Sequence, residues 1–198
     1  QGSATHDTTE QFAYRAHALD KVEMVSRILQ ANGRGATMIF TRTKRTAQKV
    51  ADELAERGFK VGAVHGDLGQ AAREKALKAF RGGDVDVLVA TDVAARGIDI
   101  DDITHVINYQ IPEDEQAYVH RIGRTGRAGQ SGLAITLVTR DDTRLVSDIE
   151  KLIKKKLEIE PFEFDDERPR RPRRSDAPER EVRDVREERE APRVPRTE

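Results

Sequence analysis

The sequence predicts an α/β fold, a doubly wound and mostly parallel sheet with helices on both faces. Three observations predict it. Short runs rich in β-branched residues alternate along the chain with amphipathic stretches, the order expected of parallel strands joined by helical crossovers. Runs such as Val87-Leu88-Val89-Ala90 are apolar at every position, as strands covered on both faces must be. The connections are short, and no internal repeat interrupts the alternation.

The elements follow in order. Residues 1–8 read as a flexible N-terminus, and Gln1-Gly2-Ser3 matches the remnant of a cleaved tag. The domain spans 9–164. Its strand candidates are Gln11–Arg15, Thr37–Phe40, Lys60–Val64, Val85–Ala90, His105–Tyr109 and Leu133–Val138. Between them, Lys21–Gln30 carries Val22, Val25, Ile28 and Leu29 at helical spacing, and Gln70–Arg81 carries Ala76, Leu77 and Phe80. Thr46–Arg57 is the helix between them. Another helix should follow Pro112, whose fixed φ suits a first turn and which precedes Glu113, Asp114 and Glu115. The last helix covers about Asp141–Lys156. In open α/β sheets ligands sit beyond the carboxyl ends of the strands. Functional side chains are therefore expected at Thr41 and Arg42, at His65-Gly66-Asp67, and at Thr91-Asp92.

Composition narrows the class. The chain has 198 residues, enough for one ordinary domain with a core. Thirty-five basic residues against 36 acidic ones leave a net charge of -1, so any affinity for nucleic acid must come from local patches. There are no cysteines, which excludes disulfides, a thiol nucleophile and cysteine-held zinc. Three histidines near loops, His65, His105 and His120, lack metal-ligand spacing, so no metal site is expected. No apolar run approaches the ~20 residues of a membrane span, and no secretory segment opens the chain. A soluble, cytoplasmic product with no membrane partner is the expectation. From Asp165 to Glu198 the chain holds eleven Arg, eleven acids and five of the seven Pro, with no aromatic residue. Such a segment cannot bury enough apolar surface to offset its ordering entropy, so 165–198 reads as a disordered tail.

Two local patches stand out. His120-Arg121-Ile122-Gly123-Arg124-Thr125-Gly126-Arg127 puts three arginines three residues apart, with no acid from Ala117 to Gln130. Crowded guanidinium groups need an anion or another surface to supply the opposite charge. A solvated basic face is the plain alternative. In Ala90-Thr91-Asp92-Val93-Ala94-Ala95-Arg96-Gly97-Ile98-Asp99 a buried strand ends in Thr-Asp, and small residues then permit close backbone approach. Thr91 and the following amides could meet a phosphate, and Asp99 ribose hydroxyls. Alternatively Asp92 caps a helix and Asp99 pairs with Arg96. His65-Gly66-Asp67 with Gln70 and Arg73 resembles many strand-to-helix loops and carries little alone.

Taken in order, Met38-Ile39-Phe40-Thr41-Arg42-Thr43-Lys44, His65-Gly66-Asp67 with Gln70-Ala71-Ala72-Arg73, the Thr91–Asp99 string and Tyr118–Arg127 together resemble motifs IV, IVa, V and VI of the DEAD-box RNA helicases. The resemblance covers the C-terminal RecA-like domain of that family, over about residues 9–160. It implies that Arg124 and Arg127 are arginine fingers reaching the γ-phosphate of ATP, and that Asp99 contacts the ribose. It further implies that His120 and Arg121 couple this strip to the acidic motif of the N-terminal RecA-like domain. Thr41, Arg42, Thr43, Gly66, Arg73, Thr91, Asp92 and Gly97 are implied in the RNA-backbone site, with Phe40 in the core. No Gly-Lys dipeptide and no Asp-Glu-Ala-Asp string occurs, so the phosphate loop and acidic motif are expected on that N-terminal domain, which would hold most of ATP and Mg2+. The expected function is thus the C-terminal half of an ATP-dependent RNA helicase, inactive as an ATPase alone. The short arginine-rich tail suggests a simple bacterial member, RhlE-like. The alternative is a non-catalytic α/β module that binds RNA or a protein.

Overall fold

A computed structural model describes residues 9–127 and 129–164. The expected disordered tail and flexible N-terminus lie outside the described residues. The described chain folds around one seven-stranded sheet in the order β3-β4-β2-β5-β6-β1-β7, with every strand pair parallel. The strands are β1 (Thr9–Arg15), β2 (Ala36–Thr41), β3 (Val61–Val64), β4 (Val87–Thr91), β5 (Ile103–Asn108), β6 (Gly132–Val138) and β7 (Ile159–Pro161). The helices are α1 (Lys21–Leu29), α2 (Lys44–Glu56), α3 (Gln70–Gly82), the single turn α4 (Asp92–Ala95), α5 (Glu115–Ile122) and α6 (Thr143–Ile153).

Strand geometry explains the two-sided core. Side chains alternate across a strand, and here both sets are buried. Met38, Phe40, Leu88, Ala90 and Val106 face one way and join Val64, Leu77 and Phe80 of β3 and α3 in one apolar cluster. Register pairs Val106 with Ala134, so the same face continues into a second cluster of Ala13, Ala134, Val138, Tyr118, Ile122, Val146 and Ile149, covered by α5 and α6. Ile39, Val89 and Ile107, also fully buried, point the other way. That side is covered by α1 and α2, which pack on each other, with α2 against β2, β3 and β4.

Several expected boundaries shift for identifiable reasons. Helix α2 begins at Lys44 rather than Thr46 because the Thr43 side chain accepts from the Thr46 amide and caps it. The last helix is shorter than the expected Asp141–Lys156. A 3-10 turn at Arg140–Asp142 precedes it, and Lys154 ends it in the left-handed conformation. Strand β7 has no counterpart in the sequence reading. Three residues long and ending in Pro161, it is defined only by pairing with β1.

Candidate functional site

The arginine string and the loop after β4 form one clasp. Thr91, at the end of β4, is buried, and its hydroxyl accepts from the Ala94 amide at 3.4 Å, capping α4. Asp92 is thereby the first residue of that turn and not its cap, leaving its carboxylate free for Arg121. Arg121, on α5, is 1% exposed. Its Nε and one terminal nitrogen reach the two Asp92 oxygens at 2.7 and 2.8 Å, a bidentate fork. The other terminal nitrogen donates to Asn108 Oδ1 at 3.1 Å and to the Gln110 carbonyl at 2.7 Å. The guanidinium also lies 5.2 Å over the Phe40 ring, which is buried as expected. For Arg121, the opposite charge is thus supplied by Asp92 of this chain.

Downstream the contacts loosen. Arg124 donates to the carbonyls of Ile98 and Ala95, the latter at 2.9 Å. Burial lowers its basicity, the neighbouring Arg127 adds to that, and Asp99 works in the other direction. Arg127 is 39% exposed and meets Asp99, 82% exposed, at 3.5 Å. Asp99 therefore pairs with Arg127, not with Arg96. Between them, Thr125 is buried and its hydroxyl donates to the Ile103 carbonyl. Gly132 packs against this turn so closely that a Cβ there would stand 2.6 Å from the Gly126 amide nitrogen. Gly97 has φ +77°, a conformation that only glycine adopts without strain. His120 is exposed on α5.

The loops after β2 and β3 form a second surface. Thr41 is fully buried, and its hydroxyl donates to the Thr43 carbonyl at 3.1 Å. It shapes the loop from within, whereas Thr43 is exposed. Arg42 donates through Nε to the Ile111 carbonyl at 2.8 Å and lies 3.6 Å from Asp142. Across the loop, Gly66 is exposed with open space around it, and Asp67 meets Lys44 at 2.8 Å, which holds its carboxyl below the ordinary carboxylate range. Thr43, Lys44, Arg45, Gln48, Lys49, His65 and Asp67 line a shallow cavity of about 900 Å³. Arg73, at the head of α3, donates to the Ala94 carbonyl at 2.6 Å and so joins this surface to the clasp.

Three site-forming residues escape a reading of the sequence. Asn108, an amide inside an apolar strand, bridges Arg121 and Thr136. Gln110 accepts from the Arg42 amide at 2.7 Å. Lys21 occupies the apolar stripe of α1 at the position four before Val25, which was the signal available, and donates to the Tyr109 carbonyl at 2.7 Å. Burial lowers its pKa to about 8, Asp142 opposing and Arg42 assisting.

Comparison with known proteins places this geometry. The helicase conserved C-terminal domain family matches over residues 20–129. The ATP-dependent RNA helicase CshA of Listeria monocytogenes is 46% identical over 149 residues, 75% of this chain and 29% of that protein. The DEAD-box ATP-dependent RNA helicase CshA of Geobacillus kaustophilus is 44% identical over 149 residues, 75% of this chain and 32% of that one. The chain thus spans about three tenths of the length of these curated relatives. Among solved structures, the E. coli DEAD-box protein SrmB bound to regulator of ribonuclease activity A is similar with a TM-score of 0.74 and 36% identity, over 81% of this chain and 94% of that one. S. cerevisiae Dbp5 bound to RNA and ADP BeF3 gives a TM-score of 0.70 and 32% identity, over 81% of this chain and 42% of that one. The chain belongs to the helicase conserved C-terminal domain family and is the C-terminal RecA-like domain of a DEAD-box RNA helicase.

Proposed function

We propose that this domain works as half of an ATP-driven RNA helicase, its outer arginines meeting an ATP held mainly, with Mg2+, by an N-terminal RecA-like domain. The observation that carries this reading is the graded hold on the arginine string. Arg121 is locked, while among the described residues Arg127 has one ion pair, an exposed one with Asp99. Exposed pairs contribute about 0–1 kcal/mol, so releasing Arg127 costs little. A planar, always-charged fork at that place suits the negative charge that develops on a transferring phosphoryl group. Once released, Asp99 is an exposed carboxylate able to accept from ribose hydroxyls. The donor set on this chain fits a nucleotide. Among the described residues no cluster of three acidic or histidine side chains gathers for a metal, and Mg2+ is assigned to the other domain.

RNA is assigned to the second surface. Thr43, Arg42, exposed Gly66 and the Arg73–Ala94 junction lie near a shallow cavity whose lining carries Lys44, Arg45 and Lys49 against Asp52 and Asp67, and its cations suit phosphate contacts that fix position without reading bases. Preference for RNA over DNA would then rest on 2′-hydroxyl contacts. Dbp5 in complex with RNA, a related structure, supports the same class of ligand. The test is reconstitution. The chain alone should show no RNA-stimulated ATP hydrolysis, and fusion to an N-terminal domain bearing a phosphate loop should produce it. RNA-stimulated turnover by the chain alone would overturn the reading.

A further inference from the structure

The segment that leaves β5 is gripped in an unusual way. Three successive main-chain carbonyls each accept from a cation of a different element. Lys21 of α1 donates to Tyr109 at 2.7 Å, Arg121 of α5 to Gln110 at 2.7 Å, and Arg42 of the loop after β2 to Ile111 at 2.8 Å. The Tyr109 amide in turn donates to the Phe40 carbonyl at 3.0 Å, continuing the β2–β5 ladder. Acidic partners balance the cations. Asp92 holds Arg121, and Asp142, itself fixed by the Thr139 amide at 2.8 Å, faces Arg42.

One residue in this strap touches both surfaces of the site. The Gln110 side-chain oxygen accepts from the Arg42 amide at 2.7 Å, while its carbonyl takes Arg121. The donor there is a backbone N–H, so chemistry fixes which end of the Gln110 amide faces it. We propose that Gln110 is a positioning residue, holding the Thr41–Thr43 loop in its RNA-contacting form from the same strap that anchors the arginine string. This rests on the RNA reading of that loop given above. Among the described residues, the loop's other outside anchors all run through the Arg42 side chain, which meets Asp142 at 3.6 Å and Glu113 at 4.0 Å, whereas Gln110 holds its main chain. Thr41 and Thr43 bond within the loop and its helix cap, and the Arg42 side chain reaches the neighbouring Ile111 of the same strap. Without the Gln110 acceptor the Arg42 amide loses its partner and the loop its register.

The test uses this chain with Gln110→Met, which keeps length but loses the acceptor, and Gln110→Glu, which keeps an acceptor oxygen. Amide hydrogen exchange at Arg42 reports the contact. Fluorescence anisotropy with a labelled single-stranded oligouridylate reports RNA affinity, and urea unfolding controls for stability. Gln110→Met should speed exchange at Arg42 and weaken oligouridylate binding about fivefold, equivalent to about 1 kcal/mol and the size of one lost hydrogen bond, with a loss of folding stability no larger than that. Gln110→Glu should retain slow exchange. Unchanged exchange in Gln110→Met, or faster exchange with unchanged affinity, would overturn the proposal alone. A wild-type chain that does not bind the oligouridylate would overturn the RNA reading, and this proposal with it.

Discussion

The two ends of the arginine string hold identical side chains in opposite states. Arg121 is 1% exposed, forks onto Asp92 and reaches Asn108 and the Gln110 carbonyl. Six residues later, Arg127 is 39% exposed and, among the described residues, has one ion pair of 3.5 Å. The difference comes from what each end meets. Arg121 sits on α5 above Phe40, where low dielectric makes an unpaired charge costly and so demands full partnering. Arg127 lies past the Gly126 turn, whose φ of +70° carries the chain out of the core. Residue type therefore says little about role here. Burial separates Arg121, which builds the site, from the loosely held Arg127, with Arg124 and its two carbonyl acceptors between them.

The largest expected effect follows from that separation. In a protein joining this domain to an N-terminal RecA-like domain, Arg124→Ala or Arg127→Ala should lower kcat by roughly 10³–10⁵-fold, the range for arginine fingers. ATP affinity should change far less. Steady-state ATPase assays at saturating RNA check this, and an unchanged kcat with weaker RNA binding would reassign both residues to the RNA.

At the buried end the effect moves from rate to stability. Arg121→Ala takes the donor from the Asp92 carboxylate, the Asn108 side-chain oxygen and the Gln110 carbonyl and should cost about 3 kcal/mol, the low end for a broken buried pair because Asp92 keeps some water. Arg127→Ala should cost under about 1 kcal/mol. Urea unfolding of the chain measures both, and equal losses would erase the contrast. Between the two ends, Gly132→Ala pushes a methyl against the Thr125–Gly126 turn and should cost about 1–3 kcal/mol, as overpacking does.

How much of this was legible in the sequence differs by element. β4 was legible because a strand buried on both faces leaves an unbroken apolar run. Strand β7 was not, since three residues with a terminal proline carry no period. The arginine string and the Thr91–Asp99 loop stood out as motifs, yet their docking did not. Nothing in spacing alone says that Asp92 would turn toward Arg121 rather than cap α4, or that Asp99 would choose Arg127 over Arg96. Thr41 looked like a surface ligand because it ends a strand, but its hydroxyl is consumed inside the loop. Lys21 and Gln110 act through main-chain carbonyls and amides, which are the same at every position and leave no trace in residue identity.

A smaller effect should appear away from the string. His105 is buried in β5, its Nδ1 2.8 Å from the Thr104 hydroxyl. Burial, with Arg34 adding, lowers its pKa below the ordinary 6.5. The unfolded chain then takes up a proton that the folded chain resists. The stability that the neutral ring contributes is full above pH 6.5 and is lost as pH falls through the lowered folded value. Unfolding measured from pH 7 downward should show a shallower decline in His105→Gln than in the wild type, and parallel declines would count against it.

The proposed role of Arg127, held loosely so that it can act on ATP, turns on its planar fork. Arg127→Lys in the two-domain protein tests it most directly, because lysine preserves the charge facing Asp99 but not the planar fork. The measurement is kcat at saturating ATP and RNA. A finger that must grip phosphoryl oxygens predicts at least a roughly tenfold fall, about 1.4 kcal/mol of lost transition-state stabilisation, with an unchanged unfolding midpoint. A kcat equal to that of the wild type would remove Arg127 from the ATP site and leave it as a partner of Asp99.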